Sequence, residues 1–260
     1  MTIPIHTAAQ QGFMKEAQTY ARGRPDYPAG LAGWLQATLG LAPGRTVVDV
    51  GAGTGKFTAL LARTGASVVA VEPVDAMRAQ LAQRLPQVQT LAGSAQALPM
   101  ADESADAIVC AQAFHWFASA DALQEFHRVL RPGTRLGLVW NVRDESVDWV
   151  ARLTHIVTPY EGDAPRFHKG DWRQPFDSAS NRWFGPLTQT RWSHAHTGTP
   201  QEVIVDRFMS VSFIAALPPA DSAQVRAQIE HLIATHPDLR GRTEVSFPYT
   251  TLVFSAERLP

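Results

Sequence analysis

Hydrophobic positions follow two rhythms along this chain. Short continuous apolar runs, TVVDV (46–50), SVVAVE (67–72), VQTL (88–91), DAIVCA (106–111) and RLGLVW (135–140), have the length and β-branched content of buried strands. Between them the apolar residues move to helical spacing. Phe57, Leu60 and Leu61 form a stripe that stops at Gly65. Met77, Leu81 and Leu85 share one face up to Pro86. Leu123, Phe126, Val129 and Leu130 run into the stop signal Arg131-Pro132-Gly133. Strands alternating with helices in this way predict right-handed βαβ units and a parallel sheet covered on both faces. Before the first strand the pattern predicts helices around 11–22 and 28–39, joined by a Pro-punctuated link.

Beyond 141 the rhythm breaks. Five of the seven tryptophans fall between 140 and 192, where glycine, proline and aromatics interrupt the periodicity. A strand at 187–196, helices near 199–208 and 220–235, and an alternating strand near 243–256 follow. The expected fold is therefore α/β and Rossmann-like: a doubly wound, mainly parallel seven-stranded sheet with helices on both faces. A lid from the C-terminal half is expected over the sheet's carboxyl edge. In this reading residues 1–141 form an N-terminal segment plus a ligand-binding core. Residues 142–260 supply lid insertions and the last strands of the same single domain.

The candidate chemistry begins at VVDVGAGTGKF (47–57), a strand with an embedded acid followed by glycines at alternate positions. Such a turn holds a ligand close to backbone, because glycine permits positive φ and close approach. A nucleoside-triphosphate loop, G-x-x-x-x-G-K-[ST], would need glycine at Val50 and a hydroxyl at Phe57. A dinucleotide fingerprint, G-x-G-x-x-G, would need glycine where Lys56 stands. The observed spacing is G-x-G-x-G, and an acid, Glu72, follows at the end of the second strand, where it can accept both hydroxyls of a ribose.

Composition narrows the partners. Net charge is −1, from 23 basic and 24 acidic residues without a basic run, which argues against nucleic acid and membrane surfaces. A single cysteine, Cys110, excludes a disulfide framework. The N-terminus lacks a signal-peptide pattern, and no apolar stretch approaches the ~20 residues needed to span a bilayer. The chain is expected to be cytoplasmic; its oligomeric state stays open.

These motifs resemble the class I S-adenosylmethionine-dependent methyltransferases, in the type 11 and trans-aconitate methyltransferase-like group. The resemblance takes in Asp49, the glycine turn and Glu72. It extends to YARGRPDYP (20–28), GSAQALP (93–99), AFHWF (113–117), and LRPG (130–133) leading to Trp140-Asn141. It implies S-adenosylmethionine as co-substrate, no metal, and a small-molecule acceptor methylated at a carboxylate or hydroxyl oxygen, with carbon also open. Residues Gly51, Ala52, Gly53, Thr54 and Gly55 would line the methionine and ribose part, with Asp49 fixing the turn or meeting the amino group. Glu72 would take the ribose, Pro73 and Met77 the adenine side, and Ser94, Ala95 and Gln96 the adenine itself. Gln112 and Ala113 would lie along the ribose–methionine stretch, and Tyr20 and Arg24 would close over cofactor or substrate.

Each assignment has a plainer competitor. Met77 is at core spacing, Glu72 could merely begin a helix, and Tyr20 could staple the N-terminal segment. His115 follows a buried strand at the ligand edge and is the candidate general base, against a packing or capping role. His194 and His196 share a strand face without a third ligand at metal spacing. Arg143, Arg152, Arg166 and Arg173 are candidate anchors for an anionic acceptor. A cofactor-binding regulatory member without methyl transfer is the competing function, and an NAD-dependent oxidoreductase is opposed by Lys56.

Overall fold

The computed structural model describes residues 25–260. The helix expected around 11–22 lies outside the described residues. Strands β1 (Thr46–Val50), β2 (Ser67–Val71), β3 (Gln89–Leu91), β4 (Ala105–Ala111), β5 (Leu130–Arg143), β6 (Thr188–Gly198) and β7 (Val245–Glu257) form one sheet. Their order is β3-β2-β1-β4-β5-β7-β6. The pairs β1–β2, β1–β4, β2–β3 and β4–β5 are all parallel. The reversal of direction after β1, outwards to β3 and then back to β4, makes a switch point at the carboxyl ends of β1 and β4, where ligands of doubly wound sheets bind.

Helices α1 (Gly30–Leu39), α2 (Lys56–Ala62), α3 (Asp75–Arg84) and α4 (Ala120–Val129) are the crossovers and flank of this core. They form where the apolar stripes stand, and each buries that stripe. Phe57 and Leu61 are buried on α2, Met77 and Leu81 on α3, and Leu123, Phe126 and Val129 on α4. The last of these is capped by Ser119, whose Oγ accepts the Ala122 N–H at 3.2 Å. At the amino ends of the strands, Asp106 accepts from the Thr46 N–H at 2.8 Å, from Arg45 at 3.0 Å and from Arg131 at 2.7 Å. Burial would raise its pKa, but those three partners outweigh it and hold the carboxyl below its usual range.

The described chain divides into two compact units. One holds Pro28–Trp140, Pro165–Trp192 and Thr251–Pro260, and contains the glycine turn. The other holds Asn141–Ala164 and Ser193–Thr250 together with residues 25–27. Its core joins helix α5 (Asp148–Val157), through Trp149, Val150, Leu153 and Val157, to helix α6 (Pro219–Thr235), through Val225, Ile229 and Leu232. Phe208, Phe247 and Tyr249 complete it.

Three expectations need correction. The stretch after 141 is not devoid of periodicity, since α5 is an amphipathic helix within it. The fifth strand starts at Leu130, not 135, because Leu130 already pairs with Ala105 and an irregularity between Ala105 and Ala107 absorbs the Arg-Pro-Gly turn. The helix expected at 199–208 is a π-helical segment, Gln201–Asp206, followed by one α-helical turn, Arg207–Met209.

Candidate functional site

The glycine turn follows β1 directly, and three of its residues have left-handed backbone: Gly51 at φ 73°, Gly53 at 57° and Gly55 at 82°. A side chain on Gly51 would place its Cβ 2.7 Å from the Cβ of Ala113. One on Gly55 would lie 2.9 Å from Leu81 of α3. Gly53 is different. Its nearest neighbour would be the Met77 Sδ at 3.9 Å, so the space over Gly53 is open.

Glu72 ties this turn to the end of β2. Its Oε2 accepts the Gly53 N–H at 2.8 Å and its Oε1 accepts the Val74 N–H at 2.9 Å. The side chain is 4% exposed. Burial raises its pKa above the usual value, opposed by those two N–H groups and by Arg78. A carboxylate has about four acceptor positions, so each Glu72 oxygen retains capacity for one ribose hydroxyl.

Asp49 lies 1% exposed at the end of β1. Its Oδ2 accepts from the Thr58 hydroxyl at 2.6 Å, while Oδ1 is buried with no hydrogen-bond partner. Burial pushes its pKa up to about 7, with repulsion from Glu72 adding to the effect and the Thr58 bond opposing it. An orphaned acid oxygen beside an open glycine turn fits an ammonium group or another polar donor on the ligand. These residues fit S-adenosylmethionine: open backbone at Gly53, paired acceptors on Glu72, and an unanswered acceptor on Asp49.

The remaining predicted residues gather along the carboxyl ends of β1–β4. Ala52 and Thr54 are buried within the turn, and Pro73 accepts from Arg78 through its carbonyl. Met77 is buried on α3 beside Gly53. Ser94 forms a bridge with Ala97, Ala95 is buried between them, and Gln96 is half-buried. The neighbouring Gly93 lies so near Val71 of β2 that a Cβ there would be 3.0 Å away. Gln112, directly after β4, has φ 59°, an unusual value for a residue with a side chain, and its N–H bonds to Val139. Tyr20 and Arg24 lie outside the described residues.

His115 stands in a short 3₁₀ turn, Phe114–Trp116, and its Nδ1 is 3.1 Å from the indole Nε1 of Trp140. The indole can only donate, so Nδ1 is the acceptor and the neutral ring carries its proton on Nε2. Around this bond Trp140 packs on Trp172 at 4.6 Å and Phe167 at 4.8 Å, and Arg173 stacks over Trp172 and Phe254. Arg166 lies over Trp116. Elsewhere Arg143 stacks on Phe208 and Arg152 pairs with Asp148. His194 stacks on Tyr249 and bonds to the Asp26 carbonyl. Among the described residues no group of three or more His, Cys, Asp or Glu could hold a metal ion. Two contributors were missed in the sequence, Thr58 and Trp140 as hydrogen-bond partners of Asp49 and His115. A hydroxyl on the buried face of a helix was the available signal for Thr58.

The geometry agrees with what the chain is similar to. Residues 48–138 match the methyltransferase domain family. A methyltransferase-like protein of Schizosaccharomyces pombe is 34% identical over 95% of this chain and 96% of its own length. A methyltransferase of Mycobacterium tuberculosis is 39% identical over 94% of each. Among solved structures, one named for a type II methyltransferase of Anaeromyxobacter dehalogenans is 26% identical with a TM-score of 0.67, covering 91% of this chain and 99% of its own. The fold and the turn define a class I methyltransferase site. The chain belongs to the S-adenosylmethionine-dependent methyltransferases of that class.

Proposed function

We propose that this enzyme methylates a small-molecule acceptor at oxygen, with a carboxylate favoured over a hydroxyl. The observation that carries the reading is the His115–Trp140 bond. When bound, S-adenosylmethionine supplies an electrophilic methyl group on a sulfonium; the acceptor–methyl bond forms as the sulfur–methyl bond breaks and its electron pair stays on sulfur. The chain's own work is then to bind, orient and exclude water. Glu72 and Asp49 answer hydroxyl and amino groups, and the open backbone at Gly53 admits the ligand. His115 has its Nδ1 lone pair engaged by Trp140, which suits a positioning donor better than a base. An acceptor that is already ionised needs no base, which favours a carboxylate.

The near-neutral charge supports a small acceptor rather than a nucleic acid. A lid from the C-terminal half, and a cytoplasmic setting without metal or membrane partner, belong to the same reading. No described helix is long and apolar enough to cross a membrane.

The test has two stages. S-adenosylhomocysteine should raise the melting temperature while NADH and ATP–Mg²⁺ should not, by mass action on the folded state. A panel of carboxylic acids, alcohols and phenols with the methyl donor should then yield methyl esters from the acids. Methyl ethers alone would move the reading to a hydroxyl acceptor. Tight cofactor binding with no product from any acceptor would favour the regulatory alternative.

A further inference from the structure

The unit formed by Asn141–Ala164 and Ser193–Thr250 buries polar atoms of Arg207 and Tyr249 that its own residues do not satisfy. Arg207 is 8% exposed, and its Nε and Nη1 are buried without a hydrogen-bond partner. The hydroxyl of Tyr249, a residue 1% exposed, is buried and unpartnered as well. Arg143 lies in the same neighbourhood, its guanidinium 5.0 Å over the Phe208 ring. Burial pushes Arg143 down to about 10, and the charge of Arg207 adds to that push; Tyr249, Glu145 and Glu161 act against it. Arg143 thus stacks on Phe208, the residue after Arg207, and Phe208 belongs to the apolar core that holds Val203, Ile204 and Phe247.

Such an arrangement is costly when nothing answers it. An unpaired buried guanidinium loses its hydration without compensation, and every unanswered N–H adds to that loss. Glu145 and Asp206 do not supply the answer. Glu145 is exposed and accepts from the Thr154 hydroxyl at 2.9 Å, and Asp206 accepts from Gln201 at 2.7 Å. Neither Nε nor Nη1 of Arg207 is reached by any of them. The segment that leads into Arg207 is itself unusual, a π-helical stretch over Gln201–Asp206, a form that is rare and concentrated at functional sites.

We propose that Arg207, Arg143 and the Tyr249 hydroxyl form a binding site for the oxyanion group, carboxylate or phosphate, of a small molecule. The donor set suits that chemistry. Guanidinium N–H groups and a phenol O–H all donate, and an oxyanion accepts several charge-assisted bonds at once. The site lies within one unit and does not rest on the methyl-transfer reading.

The experiment uses the whole protein with two probes, inorganic phosphate and succinate, each titrated against sodium chloride at matched ionic strength. The wild type should show a saturable rise in melting temperature with at least one probe, and calorimetry should give a matching dissociation constant. Arg207→Met should weaken that binding at least tenfold, and should leave the ligand-free protein as stable as before or more so, because it removes an unpaired buried charge. Tyr249→Phe, which removes one hydroxyl from an otherwise intact core, should weaken binding severalfold and keeps the test valid if the first variant does not fold. The S-adenosylhomocysteine shift should be unchanged in both. The two probe arms decide between phosphate and carboxylate. Stabilisation no greater than that of chloride, or probe affinity unchanged in Tyr249→Phe, would overturn the site.

Discussion

Glu72 holds Gly53 by its backbone: the carboxylate at the end of β2 accepts the Gly53 N–H at 2.8 Å, across 19 residues of chain. The acid and the glycine turn therefore form one structural piece before any ligand arrives.

Replacing Glu72 tests that piece. Glu72→Ala removes two charge-assisted acceptors for a ribose and should weaken S-adenosylhomocysteine binding by ~2–3 kcal/mol, roughly 30- to 150-fold. Isothermal titration of a variant shown to be folded by circular dichroism is the check. Unchanged affinity would leave Glu72 with only its turn-holding role.

Asp49 gives a prediction with opposite signs. Its carboxyl lies at about 7 in the folded protein against an ordinary 3.8. The folded state therefore holds the proton more tightly than the unfolded chain does. The stability this contributes is complete below about pH 4 and is lost as pH rises through 7. Asp49→Asn keeps an acceptor for Thr58 and removes the buried charge. At pH 8 it should stabilise the ligand-free protein by on the order of 1–3 kcal/mol and flatten stability between pH 5 and 8. Cofactor binding should fall at least tenfold if the orphaned Oδ1 meets an amino group. Denaturant melts across this pH range, with calorimetry at pH 8, separate the two effects.

The glycines of the turn should not respond alike. Gly51→Ala combines left-handed backbone with a clash against Ala113 and should cost about 2–5 kcal/mol of stability. Gly53→Ala meets only Met77 at 3.9 Å and should cost about 1–2 kcal/mol. Its methyl group would occupy the open space over the turn, so if the cofactor binds there the larger effect should be on cofactor affinity. Equal destabilisation of both variants in urea would contradict this ordering.

His115 can be tested by keeping or removing its acceptor. His115→Ala strands the indole N–H of Trp140, a residue 1% exposed, and should cost about 1–3 kcal/mol. His115→Asn offers a carbonyl in place of Nδ1 and should recover most of that loss. Once an acceptor is in hand, a positioning role predicts that KM changes more than kcat, with the pH profile kept. A base would instead lower kcat by ~10²–10⁴ in both variants and erase the acid limb of the profile.

The parallel core was legible because each buried strand is an unbroken apolar run and each helix shows its stripe. The turn was legible because spacing alone separates G-x-G-x-G from its competitors. Helix α5 was harder. Trp149, Val150, Leu153 and Val157 carry helical spacing, but the stripe is short and lies in a stretch whose later glycines and prolines break every longer pattern. The π-helical segment cannot be seen at all in a pattern that an α-helix satisfies nearly as well. Arg207 reads as the polar side of a helix, and Tyr249 as an alternating strand residue. That Nε and Nη1 of the one and the hydroxyl of the other lack hydrogen-bond partners is a property of tertiary packing, which no local pattern contains.

The near-collision of Gly51 with Ala113 has a consequence for how the site can change. The two loops, one after β1 and one after β4, share a volume large enough for a single methyl group. Bulk gained in one must be surrendered by the other, so their mutational effects are non-additive by construction. Gly51→Ala should be milder in an Ala113→Gly background than in the native one, although its backbone strain remains. Libraries that reshape this pocket one loop at a time will therefore lose folded members that paired libraries retain.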